Sequence, residues 1–425
     1  MKYHNFYIDK PPNFTELAKD YPSLKPFVDN QSRINFRNPA ALREVTKCLL
    51  KKDFKINILL HEERLCPPIP NRRFAYILWI QELIDFVNYD PKQKVFAFDI
   101  GTGSTCIYPL LGCSQRPNWF FYATDIDKFS LQLAQENVTR NGLEDRIKII
   151  DSAEYLTLIP LDELNIPNIN FCMCNPPFYS SKEEMIASSL RKSKKPFSSC
   201  TGSLTEMVTP GGEIAFVKKI IKESYFLKER VNWYTSMLGK LSSVIKIIEL
   251  FKEMQIDNYV LSELPVGGNT RRWVIGWSFM DLRAPNHYAR PSAKSLVHLS
   301  SSLTMVNIKL DIKIETLKQK ITYIMNKFNI DFTWNNEYIG NGETPGNIWS
   351  RFARRQNSKI ITKNSSCTNF KFRLEIISKN NKKNATSLKV MWIKGINKVI
   401  FESFYNMLRH ELRTLNTNHD SICTN

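Results

Sequence analysis

The sequence predicts an α/β chain: a doubly wound sheet, preceded by helices and followed by a smaller α+β domain. Three features carry that expectation. Continuous apolar runs recur between helical stretches from residue 95 onward: VFAFDI (95–100), WFFYATDID (119–127), RIKII (146–150) and INFCMC (169–174). Unbroken runs of that kind mark strands covered on both faces, as in parallel sheets. The series closes on NYVLSELPVGGNTRRWVIGWSFM (258–280), two strands around a Gly-Gly-Asn loop. A Pro- and Ser-rich linker then introduces a second pattern of strands and helices. The expected division is a helical module (1–88), the sheet domain (89–283), the linker (284–304) and a basic α+β domain (305–425). With 43% hydrophobic and 12% aromatic residues in 425, the chain can fill two or three cores and is not of disordered composition.

Each element has its own signal. In NPAALREVTKCLLKKDF (38–54), Asn38 suits an N-cap and Pro39 the first helical position. Leu42, Val45 and Leu49 recur at spacings of three and four and form a buried stripe. Arg43, Lys47, Lys51 and Lys52 lie on the opposite face, either simply solvated or, at Lys47 and Lys51, set against RNA. RRFAYILWIQELIDFV (72–87) is a second helix leading into the first strand. After the second strand, FSLQLAQENVTRNG is a helix with Leu131, Ala134 and Val138 inward, stopped by Asn141-Gly142. GGEIAFVKKIIKES (211–224) reads as a strand or turn running into a helix. Strands alternating with helices and closing on an antiparallel hairpin give the doubly wound arrangement. Beyond the linker the order is strand (305–311), helix (314–328), strand (330–335), a Gly-rich loop, the strands FKFRLEIIS and SLKVMWI, and a last helix. Phe401, Phe404, Leu408 and Leu412 line one face of that helix.

The net charge of +18 and pI near 9.4 point to an anionic partner, a nucleic acid or a membrane surface. Residues 305–425 hold 20 Lys and Arg against 9 Asp and Glu, so the charge is concentrated there. No run of 18 apolar residues suits a membrane span, and MKYHNFYIDKPPNF lacks the apolar core of a secretion signal. The nine cysteines are scattered without a CxxC and read as reduced thiols. Cys172 and Cys174 share a strand face and read as packing, not as half of a metal site; no metal is expected.

The chemistry lies at strand ends. In DIGTGS (99–104), Gly101 and Gly103 let a backbone approach a ligand without a Cβ in the way. Asp125, 24 residues after Gly101, ends the next strand, where a carboxylate can take a ribose hydroxyl pair. That pairing fits NAD as well as S-adenosylmethionine, but Cys106 stands where the third glycine of GxGxxG is required. Asn175-Pro176-Pro177-Phe178 follows the fourth run. Two prolines cannot extend a ladder, so the strand must end there. The Asn175 side-chain oxygen and the Pro176 carbonyl can accept the two N–H bonds of an exocyclic amine, and Phe178 can stack on the base. Alignment of the amine with a sulfonium methyl then supplies much of the rate. A base in paired RNA must be unstacked to enter such a pocket.

With these motifs the chain resembles the methyltransferase-like protein 16 family of U6 small nuclear RNA adenine-N6 methyltransferases. The resemblance runs through YIDKPPNFTELAKDYPSLKPFV, INFRNPAALREVTKCLLKKDF, ERLCPPIPNRRFAYILWIQELI, FDIGTGSTCIYPLLG, FCMCNPPF, GGEIAFVKKII, WYTSMLGK and TRRWVIGWSF, from residue 3 to about 280. It implies a Rossmann-like class I methyltransferase sheet. It also implies S-adenosylmethionine contacts at Gly101, Asp125 and Asn175, and at Arg73 toward the methionine carboxylate. The N-terminal helices and the basic loop SSLRKSKKPFSS (188–199) would grip an RNA hairpin, through Arg191, Lys192, Lys194 and Lys195. Read on its residues alone, that loop is equally a disordered basic segment or a nuclear import signal. SAEYLTL corresponds to a loop that blocks the cofactor site in relatives, here without the family lysine. The C-terminal order is similar to the kinase-associated-1-like RNA-binding domain of vertebrate relatives. WSRFARR sits where those carry an arginine-rich loop, which makes Arg351, Arg354 and Arg355 candidates for phosphate contact. In family terms the substrate is a U6 hairpin, with the messenger RNA for S-adenosylmethionine synthetase a second one. The expected protein is a monomer, in the nucleus first and the cytoplasm second. Two other readings share the motifs: a non-catalytic RNA-binding splicing scaffold that keeps the fold, and a protein glutamine N5-methyltransferase, whose motif is Asn-Pro-Pro-Tyr.

Overall fold

Asparagines start the first helices of the computed structural model, which describes residues 5–65, 70–87, 93–190, 202–264, 271–284, 304–350, 369–378, 385–395 and 397–420. Asn13 caps α2 (Phe14–Asp20), which follows the short α1 (Phe6–Asp9). Asn38 caps α3 (Pro39–Phe54), its Oδ1 accepting the Ala40 and Ala41 N–H groups at 3.0 and 3.4 Å. Leu42, Val45 and Leu49 are buried, as their spacing predicts. In α4 (Pro70–Val87) every residue from Phe74 to Ile84 is buried. A helix so largely apolar, with only Gln81 and Glu82 polar between Phe74 and Ile84, belongs inside, and α4 lies against the central sheet. Its Tyr76 hydroxyl bonds the Thr235 hydroxyl at 2.7 Å, and Trp79 fills the space left by Gly276. The N-terminal helices therefore share a core with the sheet, in a unit that ends at Phe279.

That sheet has the order β3-β2-β1-β4-β5-β7-β6. Its strands are β1 (Val95–Ile100), β2 (Trp119–Asp125), β3 (Ile147–Asp151), β4 (Ile169–Cys174), β5 (Val231–Leu238), β6 (Tyr259–Leu264) and β7 (Arg272–Trp277). The first five run parallel; β7 is antiparallel to both β5 and β6. The expected hairpin is β6 and β7; its loop lies outside the described residues. The helices α5 (Ile107–Gln115), α6 (Lys128–Arg140), α9 (Gly212–Leu227) and α10 (Leu241–Glu253) connect the strands, with α7 (Lys182–Leu190) and the short α8 (Leu204–Met207) between β4 and α9. Strand order reverses between β1 and β4, so a crevice opens beyond their C-terminal ends.

Of the strand or turn expected to open residues 211–224, the turn is the one present: Gly211 is left-handed at φ +74° and α9 starts directly after it. β5 and α10 were not anticipated. Thr235 and Ser236 interrupt the apolar run of β5, yet both are buried, and the Thr235 hydroxyl is satisfied by the Cys172 carbonyl at 2.9 Å.

The second unit begins at Met280. It is an antiparallel sheet of order β8-β12-β11-β10-β9, made of β8 (Met305–Asp311), β9 (Asp331–Trp334), β10 (Ile339–Thr344), β11 (Phe370–Ser378) and β12 (Ala385–Lys394). α11 (Ile314–Lys327) and α12 (Lys398–Asp420) complete its core, with Phe401, Phe404, Leu408 and Leu412 buried. β10 stands inside the stretch expected to be a Gly-rich loop. Gly340 and Gly342 are in the strand because a Cβ on either would come within 2.2 Å of a ring carbon, of Phe332 and Phe372 respectively. Glycine here makes room for cross-strand aromatic rings. The order is therefore strand–helix–four strands–helix, one strand more than expected.

Among the described residues no helix is long and apolar enough to cross a membrane, and no His, Cys, Asp and Glu cluster could hold a metal ion. Arg191, Lys192, Lys194, Lys195, Arg351, Arg354, Arg355 and residues 285–303 of the linker lie outside the described residues.

Candidate active site

β1 delivers the chain into two left-handed glycines, Gly101 at φ +70° and Gly103 at φ +66°. Between them the Thr102 N–H donates to the Thr124 carbonyl at 2.8 Å, drawing the loop toward the end of β2. The Gly103 N–H donates to Asp125 Oδ2 at 2.8 Å and the Asp127 N–H to Oδ1 at 3.0 Å. Each carboxylate oxygen keeps lone-pair capacity for a hydroxyl. Burial nonetheless raises the Asp125 pKa. A Cβ on Gly101 would meet nothing within 4 Å, so the loop's outer side is open.

Beneath the loop, burial pushes the Asp99 carboxyl up to about 7 against the opposing influence of the Thr102 hydroxyl, and neither of its oxygens has a hydrogen bond of good geometry. From α4, Arg73 reaches the same region, 7% exposed. It donates to the Tyr108 hydroxyl and stacks 5.3 Å from that ring's centroid, while its Nε has no partner. A buried guanidinium and a buried carboxyl, both with unused valence, suit the carboxylate and ammonium of an amino-acid group. With the open glycine turn and Asp125 for a ribose, the donor set fits S-adenosylmethionine.

At the end of β4, Asn175 Oδ1 is buried without a partner, Pro176 is buried, and Pro177 and Phe178 are half-buried. The loop is stitched on one side, Tyr179 N–H to the Met207 carbonyl at 3.1 Å and Thr209 N–H to the Tyr179 carbonyl at 2.9 Å. Gly212, left-handed at φ +64°, backs it closely: a Cβ there would stand 3.3 Å from Ser180 N. Glu213, buried, accepts the Gly239 and Lys240 N–H groups at 2.7 and 3.1 Å. Gly239 is in turn the seat of Phe178, since a Cβ there would come 2.9 Å from the ring. Over that ring stands the Arg272 guanidinium, 5.2 Å from the centroid. Burial, then the charge of Arg73, lower its pKa, and no carboxylate pairs with it among the described residues. Lys240 instead pairs with Glu184 at 2.6 Å; that bond and the Ser180 hydroxyl hold the Glu184 carboxyl down at about 2.

The fold thus brings Gly101, Gly103, Asp125, Asn175, Pro176, Pro177 and Phe178 to the C-terminal ends of β1, β2 and β4, with Arg73 entering from α4. Lys47 and Lys51 lie apart on α3, half-buried and exposed respectively, while the neighbouring Arg43 and Lys52 are paired with Glu62 and Asp20. Cys172 and Cys174 are buried free thiols, as packing requires. Sequence reasoning passed over Asp99, Glu213, Gly239 and Arg272. Asp99 is visible in the motif, because an acid inside an apolar strand needs a reason; the others are assembled only by the fold. Chemically, the site presents the unpartnered Asn175 Oδ1 beside an aromatic ring, next to donors and acceptors suited to a zwitterionic nucleoside.

Comparison with known proteins agrees with that chemistry. Residues 1–281 match a family described as RNA methyltransferase. The U6 small nuclear RNA (adenine-(43)-N(6))-methyltransferase of Schizosaccharomyces pombe is 36% identical over 385 residues, 90% of this chain and 95% of the relative. The RNA N(6)-adenosine-methyltransferase METTL16 of Homo sapiens is 38% identical over 288 residues, 66% of this chain, which spans about half (51%) of that relative's length. The crystal structure of the human METTL16 catalytic domain with MAT2A 3'UTR hairpin 1 superposes at a TM-score of 0.61, with 36% identity, covering 68% of this chain and 98% of that one. The human N-terminal domain in complex with SAH gives 0.55, with 36% identity, covering 66% and 99%.

Proposed function

This chain belongs to the RNA methyltransferase family that includes the U6 small nuclear RNA adenine-N6 methyltransferases, and from that membership we propose that it methylates N6 of an adenine in structured RNA, with S-adenosylmethionine as donor and a U6 small nuclear RNA hairpin as principal substrate. The observation that carries the reading is the buried, unpartnered Oδ1 of Asn175 beside half-buried Phe178. An unsatisfied acceptor at a strand end costs stability in the free protein, and it is repaid when an amine N–H arrives.

Bound S-adenosylmethionine supplies an electrophilic methyl on a sulfonium leaving group. The protein's own residues do the positioning. Arg73 takes the carboxylate, Asp125 the ribose hydroxyls, and the glycine turn lets the backbone come close. Phe178 stacks on the unstacked base, a contact of about 1–3 kcal/mol. Asn175 Oδ1 and the Pro176 carbonyl accept the two N6–H bonds, which keeps the amine from rotating and leaves its lone pair free for attack. The basic second unit and the loop at 188–199 add phosphate contacts. A messenger RNA hairpin is a second substrate, a reading supported by the 3'UTR hairpin bound to the human relative. The nucleus follows as the site of action from U6.

The test is mass spectrometry of nucleosides from U6 RNA incubated with pure protein and donor. N6-methyladenosine is expected at one adenine per RNA, and its absence with several structured RNAs contradicts the proposal.

A further inference from the structure

Between α3 and α4 an extended segment, residues 56–65, joins neither sheet. Ile56, Ile58 and Leu60 are buried. The backbone groups between them are met by side chains of α6 and its cap. Asn141 exchanges two hydrogen bonds with the Asn57 backbone, at 2.8 and 2.9 Å. Asn137, one turn earlier, does the same for Leu59 at 2.6 and 3.1 Å, and its amide also donates to the Ser104 carbonyl just past the glycine turn, at 3.1 Å. The segment therefore travels along α6 toward its N-terminus. There Arg64 pairs with Asp127 at 3.0 Å, two residues beyond Asp125. It then crosses to α8, where both oxygens of Glu206 accept the Leu65 N–H, at 3.0 and 3.2 Å, and Oε2 also accepts the Ser203 N–H at 2.8 Å. Glu206 Oε1 stands 3.8 Å from where a Cβ on Gly103 would lie. The next residue, Met207, holds the Tyr179 N–H of the catalytic loop at 3.1 Å.

We propose that Glu206 is a positioning residue of the methyl-donor site: its carboxylate fastens the 56–65 strap beside Gly103 and ties that strap to the segment that supports the catalytic loop. The strap has two pins, Arg64 on Asp127 at the ribose side and Glu206 at the glycine side. A donor seated on Gly101 and Gly103 then meets a loop held in place by the strap. The charge has a reason here. Oε2 takes both N–H groups and Oε1 shares the Leu65 bond; in a glutamine one of those two positions becomes an NH2 that cannot accept.

The inference rests on the donor assignment but not on the RNA substrate. It is tested on the full chain by calorimetric binding of S-adenosylhomocysteine, with methyl-transfer kinetics and RNA binding measured in parallel. Losing a charged anchor predicts about a tenfold rise in the dissociation constant for Glu206→Ala. Glu206→Gln falls between that and wild type, and Arg64→Ala shifts in the same direction. In all three, RNA affinity stays near wild type. The inference is overturned if Glu206→Gln and Arg64→Ala both bind the product analogue like wild type. It is equally overturned if donor affinity, RNA affinity and thermal midpoint all fall together, which marks a general folding role. Should Glu206→Ala fail to fold, the other two variants decide. A wild type that binds the analogue yet methylates no adenine contradicts the proposed function and leaves these binding differences to be read as before.

Discussion

In the proposed reaction Asn175 and Phe178 have different parts and Arg272 stands over the Phe178 ring, so their substitutions are expected to act differently. Asn175→Ala removes one of two acceptors and is expected to lower kcat by about two orders of magnitude or more with RNA affinity kept; single-turnover kinetics check it. Arg272 covers a ring on which the base must stack, and its guanidinium has no carboxylate partner among the described residues. Because the base must displace that guanidinium, Arg272→Ala is expected to lower the KM for RNA while leaving that for the donor unchanged, and Arg272→Lys to do so in part, because an ammonium lacks the flat stacking face. Asp99 gives a pH signature. Its carboxyl is raised to about 7 in the fold, so its contribution is favourable below the ordinary carboxylate pKa and is lost as pH rises through about 7. Without donor, Asp99→Asn is therefore expected to gain thermal midpoint over wild type progressively from about pH 4 to 7 and level off above. At this scale Gly101, Asp125 and the Asn-Pro-Pro-Phe loop were legible because each sits in a contiguous motif at the end of an apolar run. Arg272 was not, since nearly a hundred residues separate it from Phe178 in sequence and only β7 brings it back.

Among the elements, legibility followed the simplicity of the burial pattern. α3 and α6 announce themselves through caps and a three–four stripe. β1 to β4 do so through unbroken apolar runs. β5 hides because Thr235 and Ser236 interrupt its run; the partners that satisfy the Thr235 hydroxyl, Tyr76 and Cys172, are far away in sequence, while Ser236 donates to the next residue's carbonyl. β10 hides because glycine signals a turn to any local reading, while its cause is the breadth of Phe332 and Phe372 on the neighbouring strands. Gly342→Val should therefore destabilise the second unit by about 1–3 kcal/mol through overpacking, seen as a lower urea midpoint with methyl transfer at 25 °C retained. Gly239→Ala is the counterpart in the first unit. It presses on Phe178 and is expected to reduce kcat while leaving the thermal midpoint nearly unchanged.

For the molecule as a whole, charge and architecture act together. The chain carries +18, and residues 305–425 hold 20 basic against 9 acidic residues. Within the second sheet several strand cations are already neutralised, Lys371 by Glu343 and Lys389 by Glu375. Net attraction for RNA must then come mainly from other positions, and Arg351, Arg354 and Arg355 are the proposed ones. Replacing all three with Gln is expected to weaken hairpin binding and to flatten the dependence of log K on log salt by about 2, leaving donor affinity untouched. The fold class was readable from alternation and composition, because those are global properties. The shared core of α4 and the sheet was not readable, because a mostly apolar helix does not say what it is buried against.

The most direct measurement is a crystal structure of the protein with S-adenosylhomocysteine and a U6 hairpin. The account predicts one adenine turned out of the RNA and lying on Phe178, with N6 within about 3.2 Å of both Asn175 Oδ1 and the Pro176 carbonyl oxygen, and Arg272 moved off the ring. A complex in which Arg272 still covers Phe178, or in which Asn175 Oδ1 meets a protein donor instead of the base, contradicts it.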